Sequence, residues 1–257
     1  MVKQREIRPA MTKYLRELHL ATIRRVYEEE AKRAQDECLS YEMYLYELVE
    51  KEYEVRRNNR IERLLKESRL PLEKNLDSFD LKRLPRKVNQ VVNTLLDGSF
   101  LERKENILAF GNPGTGKTHL LCAIGQELIR SKGRKVYFCQ CSLLVQELLI
   151  AKKELKLARI LKKLSKYDAI IIDDIGYVQQ NREEMEVLFT LLADRYERGS
   201  IMLSSNLVFS KWEQIFKDPM VTAAAIDRLI HHCVVLELNI PSYRMEKAKE
   251  SKIQKGG

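Results

Sequence analysis

The feature that most constrains this chain is the string Gly111-Asn112-Pro113-Gly114-Thr115-Gly116-Lys117-Thr118, set between the apolar run Ile107 to Phe110 and a helical pattern that begins at Lys117. It satisfies G-x-x-x-x-G-K-[ST], a loop whose backbone N–H groups wrap a phosphate at the positive end of a helix dipole. The glycines let the backbone approach closely, Lys117 is placed for the β and γ phosphates of a nucleotide, and the Thr118 hydroxyl is placed for Mg2+. A strand, this loop and a helix in that order demand an α/β layer around them. Four more apolar runs supply it: Val136 to Cys139, Ala169 to Ile172, Ile201 to Leu203 and Val234 to Leu238. Helical patterns lie between them at about 117–130 and 182–197, with Gly133 and Gly199 as stops. Apolar runs alternating with amphipathic helices are the mark of a parallel sheet covered on both faces. The expected fold is therefore α/β, a five-stranded parallel sheet flanked by helices, with ATP as its ligand.

The third run, Asp168-Ala169-Ile170-Ile171-Ile172-Asp173-Asp174, delivers two carboxylates at its carboxyl end, the edge of an open α/β sheet where ligands bind. Asp173 is the expected Mg2+ partner. Asp174 is placed to orient or deprotonate a water attacking the γ phosphate. Ser204-Ser205-Asn206 closes the fourth run at the same edge, where Asn206 can reach between that phosphate and the water.

Ahead of this core, apolar residues at Tyr14, Leu18, Ile23, Tyr27, Ala31 and Ala34, and at Tyr44, Leu45, Leu48, Ile61, Leu64 and Leu65, predict two long helices, with Ser40 as N-cap of the second. Pro71 breaks the pattern. The expected organisation is a helical domain over 1–70, a linker over 71–76, a nucleotide-binding domain over 77–244 and a basic tail over 245–257. Five cysteines without framework spacing point to reduced thiols. Cys139, Cys141 and the His231-His232-Cys233 cluster match no usual zinc spacing. No segment is apolar for long enough to span a membrane, so a cytoplasmic protein is expected. The net charge of +9 is the footprint of a polyanionic partner.

These strings resemble the AAA+ ATPases and, more narrowly, the IstB family of ATPase helpers in insertion-sequence transposition; the chain is also similar to bacterial helicase loaders of the DnaC type. Further strings carry the likeness along most of the chain: Leu15-Arg16-Glu17-Leu18, Arg56-Arg57-Asn58-Asn59-Arg60-Ile61, Asp77-Ser78-Phe79-Asp80, Ile175-Gly176-Tyr177, Ala225-Ile226-Asp227-Arg228-Leu229 and Pro241-Ser242-Tyr243-Arg244. The resemblance implies that Asn206 is the sensor-1 residue and that Arg228 is an arginine finger completing a neighbouring subunit's site. It also implies that adenine lies near Phe79 and that the usual C-terminal helical lid is missing. Asp174 stands where most such ATPases carry Glu, which puts the rate of hydrolysis in question. The implied role is that of an ATPase that oligomerises on double-stranded DNA, largely independently of sequence, and assists a transposase. The alternatives are a helicase loader and a scaffold that binds ATP without hydrolysing it. A small-molecule kinase shares the loop, but Asn206, the missing substrate lid and the basic charge argue against it.

Two basic segments are candidates for DNA. Arg56, Arg60 and Arg63 share one helix face, with Arg57 beside them, although Glu52, Glu54, Glu62 and Glu67 could make the same face a solvated one. Between the second and third runs, Lys152, Lys153, Lys156, Arg159, Lys162, Lys163 and Lys166 face the single acid Glu154. The competing reading there is a solvated helix packed through Leu155, Ile160, Leu161 and Leu164.

Overall fold

The structure is a computed structural model that describes residues 4–175, 182–207, 211–212 and 226–246. Gly176, Tyr177, Ala225 and the tail lysines Lys247, Lys249, Lys252 and Lys255 lie outside the described residues. The chain divides into two compact units, Met1–Arg63 and Leu64–Gly257.

The first unit holds α1 (Gln4–Glu17), α2 (Ala21–Asp36) and most of α3, which runs from Tyr41 to Ser68 and crosses the division. The first of the two expected helices is thus two. His19 adopts a left-handed φ of 56°, and the break is held from a distance: the buried Glu52 carboxylate accepts from the N–H groups of Thr22 at 2.7 Å and Ile23 at 3.1 Å, capping α2. Burial pushes the Glu52 carboxyl up, but hydrogen bonds from Arg56 and those two amides hold it below the usual range. Ser40 caps α3 as expected, its Oγ accepting from Met43 N–H at 3.2 Å. Leu48 packs inside, whereas Leu45, expected on the packed face, is exposed together with Tyr46, Val49 and Tyr53.

In the second unit the expected strands form as β1 (Asn106–Phe110), β2 (Val136–Gln140), β3 (Ala169–Ile175), β4 (Ser200–Ser205) and β5 (Cys233–Glu237). All pair in parallel in the order β2-β3-β4-β1-β5. The helices are α4 (Arg86–Leu95), α5 (Ser99–Glu102), α6 (Lys117–Lys132), α7 (Cys141–Lys153), α8 (Leu157–Leu164) and α9 (Arg182–Arg195). Ile107, Leu108, Ile170, Ile171, Met202 and Leu203 are fully enclosed, as strands covered on both faces require. Helix α6 is buried along nearly its whole length and ends at Gly133, whose N–H donates to Ile129 O. The expected linker is packed rather than free: the Gln126 Nε2 of α6 donates to the carbonyls of Pro71 at 3.1 Å and Lys74 at 2.9 Å. Among the described residues a helical turn at 243–246 follows β5. None of the described helices is long and apolar enough to cross a membrane.

Candidate functional site

Gly116 enters α6 at φ 94° and Gly114 lies at φ 83°, so both occupy left-handed backbone that other residues adopt only with strain. Both are also pressed by neighbours. A Cβ on Gly116 would sit 3.0 Å from the Phe79 ring, and one on Gly114 would sit 2.2 Å from Ser242 Oγ. The loop therefore carries the sharp turn that aims the first N–H groups of α6 outward. Those groups open onto a cavity of about 330 Å³ lined by Pro113 to His119, Phe79, Asp174, Asn206, Lys74 and Arg83, and by Tyr243 and Arg244. Phe79 meets His119 edge to face at 5.1 Å. Gly111 and Asn112 contribute carbonyls: Lys117 Nζ donates to them at 2.8 and 3.0 Å, and Thr115 Oγ1 donates to Asn112 O at 2.9 Å. Burial lowers the Lys117 ammonium pKa, while Asp174 and Asp173 oppose that shift.

The two carboxylates are presented differently because β3 bulges. Its register against β4 slips between Ile172 and Ile175, and Asp174 takes a left-handed φ of 58°. Asp173 is buried, and Asp174 faces the cavity. Ser204 on β4 joins them: its Oγ donates to Asp173 Oδ1 at 2.6 Å and accepts from the Asp174 N–H at 2.8 Å. Desolvation and then the neighbouring Asp173 charge raise the Asp174 pKa, against the pull of Lys117, Arg244 and Lys74. Asn206 lies just beyond β4 at the same edge. Sequence reasoning did not find Lys74 or Arg83, which carry no motif signal of their own, and it named Ser204 and Tyr243 only within their strings, without these roles.

Arg228 lies elsewhere. It sits in a helical turn at 226–230 just before β5, at the amino edge of the sheet, in a cleft of about 180 Å³ shared with Arg103, Lys104, Arg195 and His232. Buried Asn106 ties that turn to the sheet, donating to Leu229 O at 3.1 Å and accepting from Ile201 N–H at 2.8 Å. The Arg228 guanidinium lies 4.6 Å from the centre of the Phe189 ring.

The cationic segment after β2 forms two helices rather than one. Leu155, with φ 57° and 94% exposure, separates α7 from α8 instead of packing, while Leu164 is buried and Ile160 and Leu161 pack partly against the core. A groove of about 810 Å³ between α7 and α8 is lined by Lys156, Arg159, Lys162, Lys163 and Lys166 together with Leu143 and Ile150. Lys152 pairs with Glu186 at 2.7 Å, Lys156 pairs with Glu154 at 2.8 Å, and Lys153 is exposed at the end of α7. On α3, Arg57, Arg60 and Arg63 are exposed, whereas Arg56 bonds Glu52 at 2.7 Å and the His19 carbonyl. Arg56 therefore staples the first unit together.

The cysteines are free thiols, and Cys141 opens α7. Burial pushes Cys122 up to about 12 and raises Cys139 and Cys233, so these thiols stay protonated. Among the described residues the group with metal-ligand atoms close together is Glu197, His231 and His232, all exposed, and no cysteine belongs to it.

A parallel sheet in this order, with a phosphate loop after β1 and paired acids near the carboxyl end of β3, defines a P-loop nucleotide-binding protein of the AAA+ class. The chain belongs to the family described as IstB-like ATP binding protein, which matches residues 13–251. It is 41% identical to an insertion-sequence ATP-binding protein of Sinorhizobium fredii, covering 94% of this chain and 81% of the relative. It is 37% identical to the ATP-binding protein of insertion sequence IS5376 from Geobacillus stearothermophilus, covering 94% and 96%. Among solved structures, the DnaC helicase loader shares the fold with a TM-score of 0.56 at 18% identity, over 66% of this chain and 97% of that one. DnaA from Aquifex aeolicus bound to AMPPCP gives 0.55 at 22% identity, over 72% and 56%.

Proposed function

We propose that this protein is an ATPase whose subunits share their ATP sites, that it assembles on duplex DNA, and that it assists a transposase. The observation that carries the reading is the separation of two parts of one catalytic apparatus. Lys117, Asp174 and Asn206 converge at the carboxyl edge of the sheet, while Arg228 stands at the amino edge. A strand the length of β1 spans about 16 Å, further than a guanidinium reaches, which supports Arg228 serving a neighbour's γ phosphate rather than its own. Hydrolysis would then depend on assembly. The exposed stripe of Leu45, Tyr46, Val49 and Tyr53 on α3 supports further contacts between subunits.

At the site itself, phosphate oxygens would replace the Gly111 and Asn112 carbonyls as acceptors for Lys117, and the N–H groups opening α6 would hold the β phosphate. The Thr118 hydroxyl and the Ser204-oriented Asp173 carboxylate fit a hard divalent cation, and bound Mg2+ would neutralise phosphate charge. The raised pKa of Asp174 suits it to accept a proton from the attacking water. Phe79 and His119 offer an aromatic wall for adenine. The transposition role is supported by the insertion-sequence relatives at 41% and 37% identity, which favour it over helicase loading.

For DNA, the groove between α7 and α8 supports contact with phosphates rather than base edges. Replacing Arg159, Lys162 and Lys163 together by alanine is expected to weaken binding to random-sequence duplex at least about 10-fold at physiological salt. It should also cut the slope of log affinity against log salt by about 3, leaving ATP binding unchanged. A salt titration monitored by fluorescence anisotropy reads both quantities. Unaltered affinity and slope would remove α8 from the DNA interface.

A further inference from the structure

Away from the phosphate loop, three side chains with metal-ligand atoms meet at the amino edge of the sheet. Glu197 follows α9, while His231 and His232 follow the helical turn 226–230 that carries Arg228. Each offers one atom, a carboxylate oxygen or a ring nitrogen, and the three atoms lie within 4.8 Å of one another. Their backbone is anchored on both sides. Glu197 holds a left-handed φ of 56° in the bend where the Gly199 N–H donates to Arg195 O at 3.1 Å. The His231 N–H donates to Asp227 O at 3.0 Å, and the His232 carbonyl accepts from the Asn106 N–H at 2.8 Å, which ties it to the start of β1. All three side chains are exposed, so an ion in solution reaches them.

A fourth residue orients two of the three. The Tyr196 hydroxyl lies 3.1 Å from His231 Nδ1 and within hydrogen-bonding reach of the Glu197 carboxylate. The two imidazole rings meet edge to face with their centres 4.2 Å apart. Glu197 and His232 share the cleft that holds Arg228, and two other cations of that cleft have partners of their own. Arg103 pairs with Glu105 at 2.8 Å, and buried Arg195 donates to Tyr167 O at 2.7 Å and to Ser200 O at 3.1 Å.

We propose that Glu197, His231 and His232 bind one divalent transition-metal ion of the zinc class, and that the ion clamps the turn carrying Arg228 to the end of α9. Two imidazoles and a carboxylate suit zinc and its neighbours, whereas Mg2+ prefers oxygen ligands alone. The site is therefore chemically distinct from the one proposed at Thr118 and Asp173. A tetrahedral ion about 2.1 Å from each donor sets the donors about 3.4 Å apart, and exposed side chains close the remaining gap by rotating about their χ angles. Three protein ligands leave the fourth position to water. Tyr196 is a positioning residue, because it acts on the ion through His231 and Glu197. Since the ligands come from segments remote in the chain, one ion acts there as a cross-link. Neither binding nor clamping requires nucleotide, so both are tested independently of the function proposed above.

Competition between the full chain and a chromophoric chelator for Zn2+, without nucleotide, tests the site. One ion per chain is expected to bind, and His231→Ala, His232→Ala and Glu197→Gln should each weaken it at least about 10-fold. Tyr196→Phe should weaken it by a smaller factor while the thermal midpoint of the metal-free chain stays unchanged. Cys38→Ser should leave the affinity as it was, since that exposed thiol is no part of the site. No binding by the unmodified chain, equal binding by a variant lacking both histidines, or a loss confined to Cys38→Ser would overturn the assignment. Hydrogen exchange reads the clamp. Saturating Zn2+ should slow the amides of 226–232 at least about 10-fold in the unmodified chain and leave them unchanged in the variant lacking both histidines. Exchange at the turn indifferent to bound Zn2+ would overturn the clamp.

Discussion

Lys117→Ala is expected to reduce ATP affinity by more than about 100-fold and to abolish every ATP-dependent property of the chain. The ammonium is buried at the base of the loop, where two carbonyls at 2.8 and 3.0 Å hold it at the mouth of α6. Phosphate oxygens arriving there would form charge-assisted bonds, each of about 1.5–3 kcal/mol, and two such bonds account for the expected factor. The substitution leaves the apolar packing of α6 untouched, so the thermal midpoint should change little. Equilibrium binding of a fluorescent ATP analogue checks the prediction. An affinity equal to that of the unmodified chain would mean that the loop does not hold the phosphates.

The second large effect is expected at Arg228, and it has the opposite character. Arg228→Ala should leave the ATP affinity of a dilute chain unchanged and lower turnover in the assembled state by about 1,000-fold or more, the usual range for an arginine supplied in trans. At rest the guanidinium stacks on Phe189 at the amino edge of the sheet. The strands thus stand between it and its own loop. Two inactive proteins should therefore rescue each other. Lys117→Ala chains can lend Arg228 to the intact loops of Arg228→Ala chains, so a mixture should regain part of the turnover that each lacks alone. Mixtures that stay inactive, or weaker ATP binding by the dilute Arg228→Ala chain, would contradict action in trans.

The core was legible because each strand is a continuous apolar run that no other arrangement would bury, and because Gly111 to Thr118 can form only one kind of strand-to-helix turn. Ends were less legible. β3 continues past Ile172 to Ile175 because Asp174 turns left-handed at a bulge, which an apolar count cannot register. The break at His19 was hidden for a similar reason: no proline or glycine marks it, and the carboxylate that caps α2 comes from Glu52 on another helix. Leu155 divides α7 from α8 while looking, in sequence, like one more packed leucine. At the site, the loop and the paired acids announced themselves through spacing. Arg83 did not, and Ser204 and Tyr243 appeared in their strings without their contacts, because each acts through a neighbour remote in the chain. Arg56 shows the converse: its place in an arginine stripe gave no sign that it bonds Glu52 and the His19 carbonyl.

In the proposed function, ATP held between subunits drives assembly on DNA. Sedimentation velocity of the purified chain at low salt, with and without random-sequence duplex and with ATP, ADP or no nucleotide, tests it most directly. Growth to a large complex only when ATP and duplex are present together is the predicted result. A species of unchanged size under all conditions would contradict the claim.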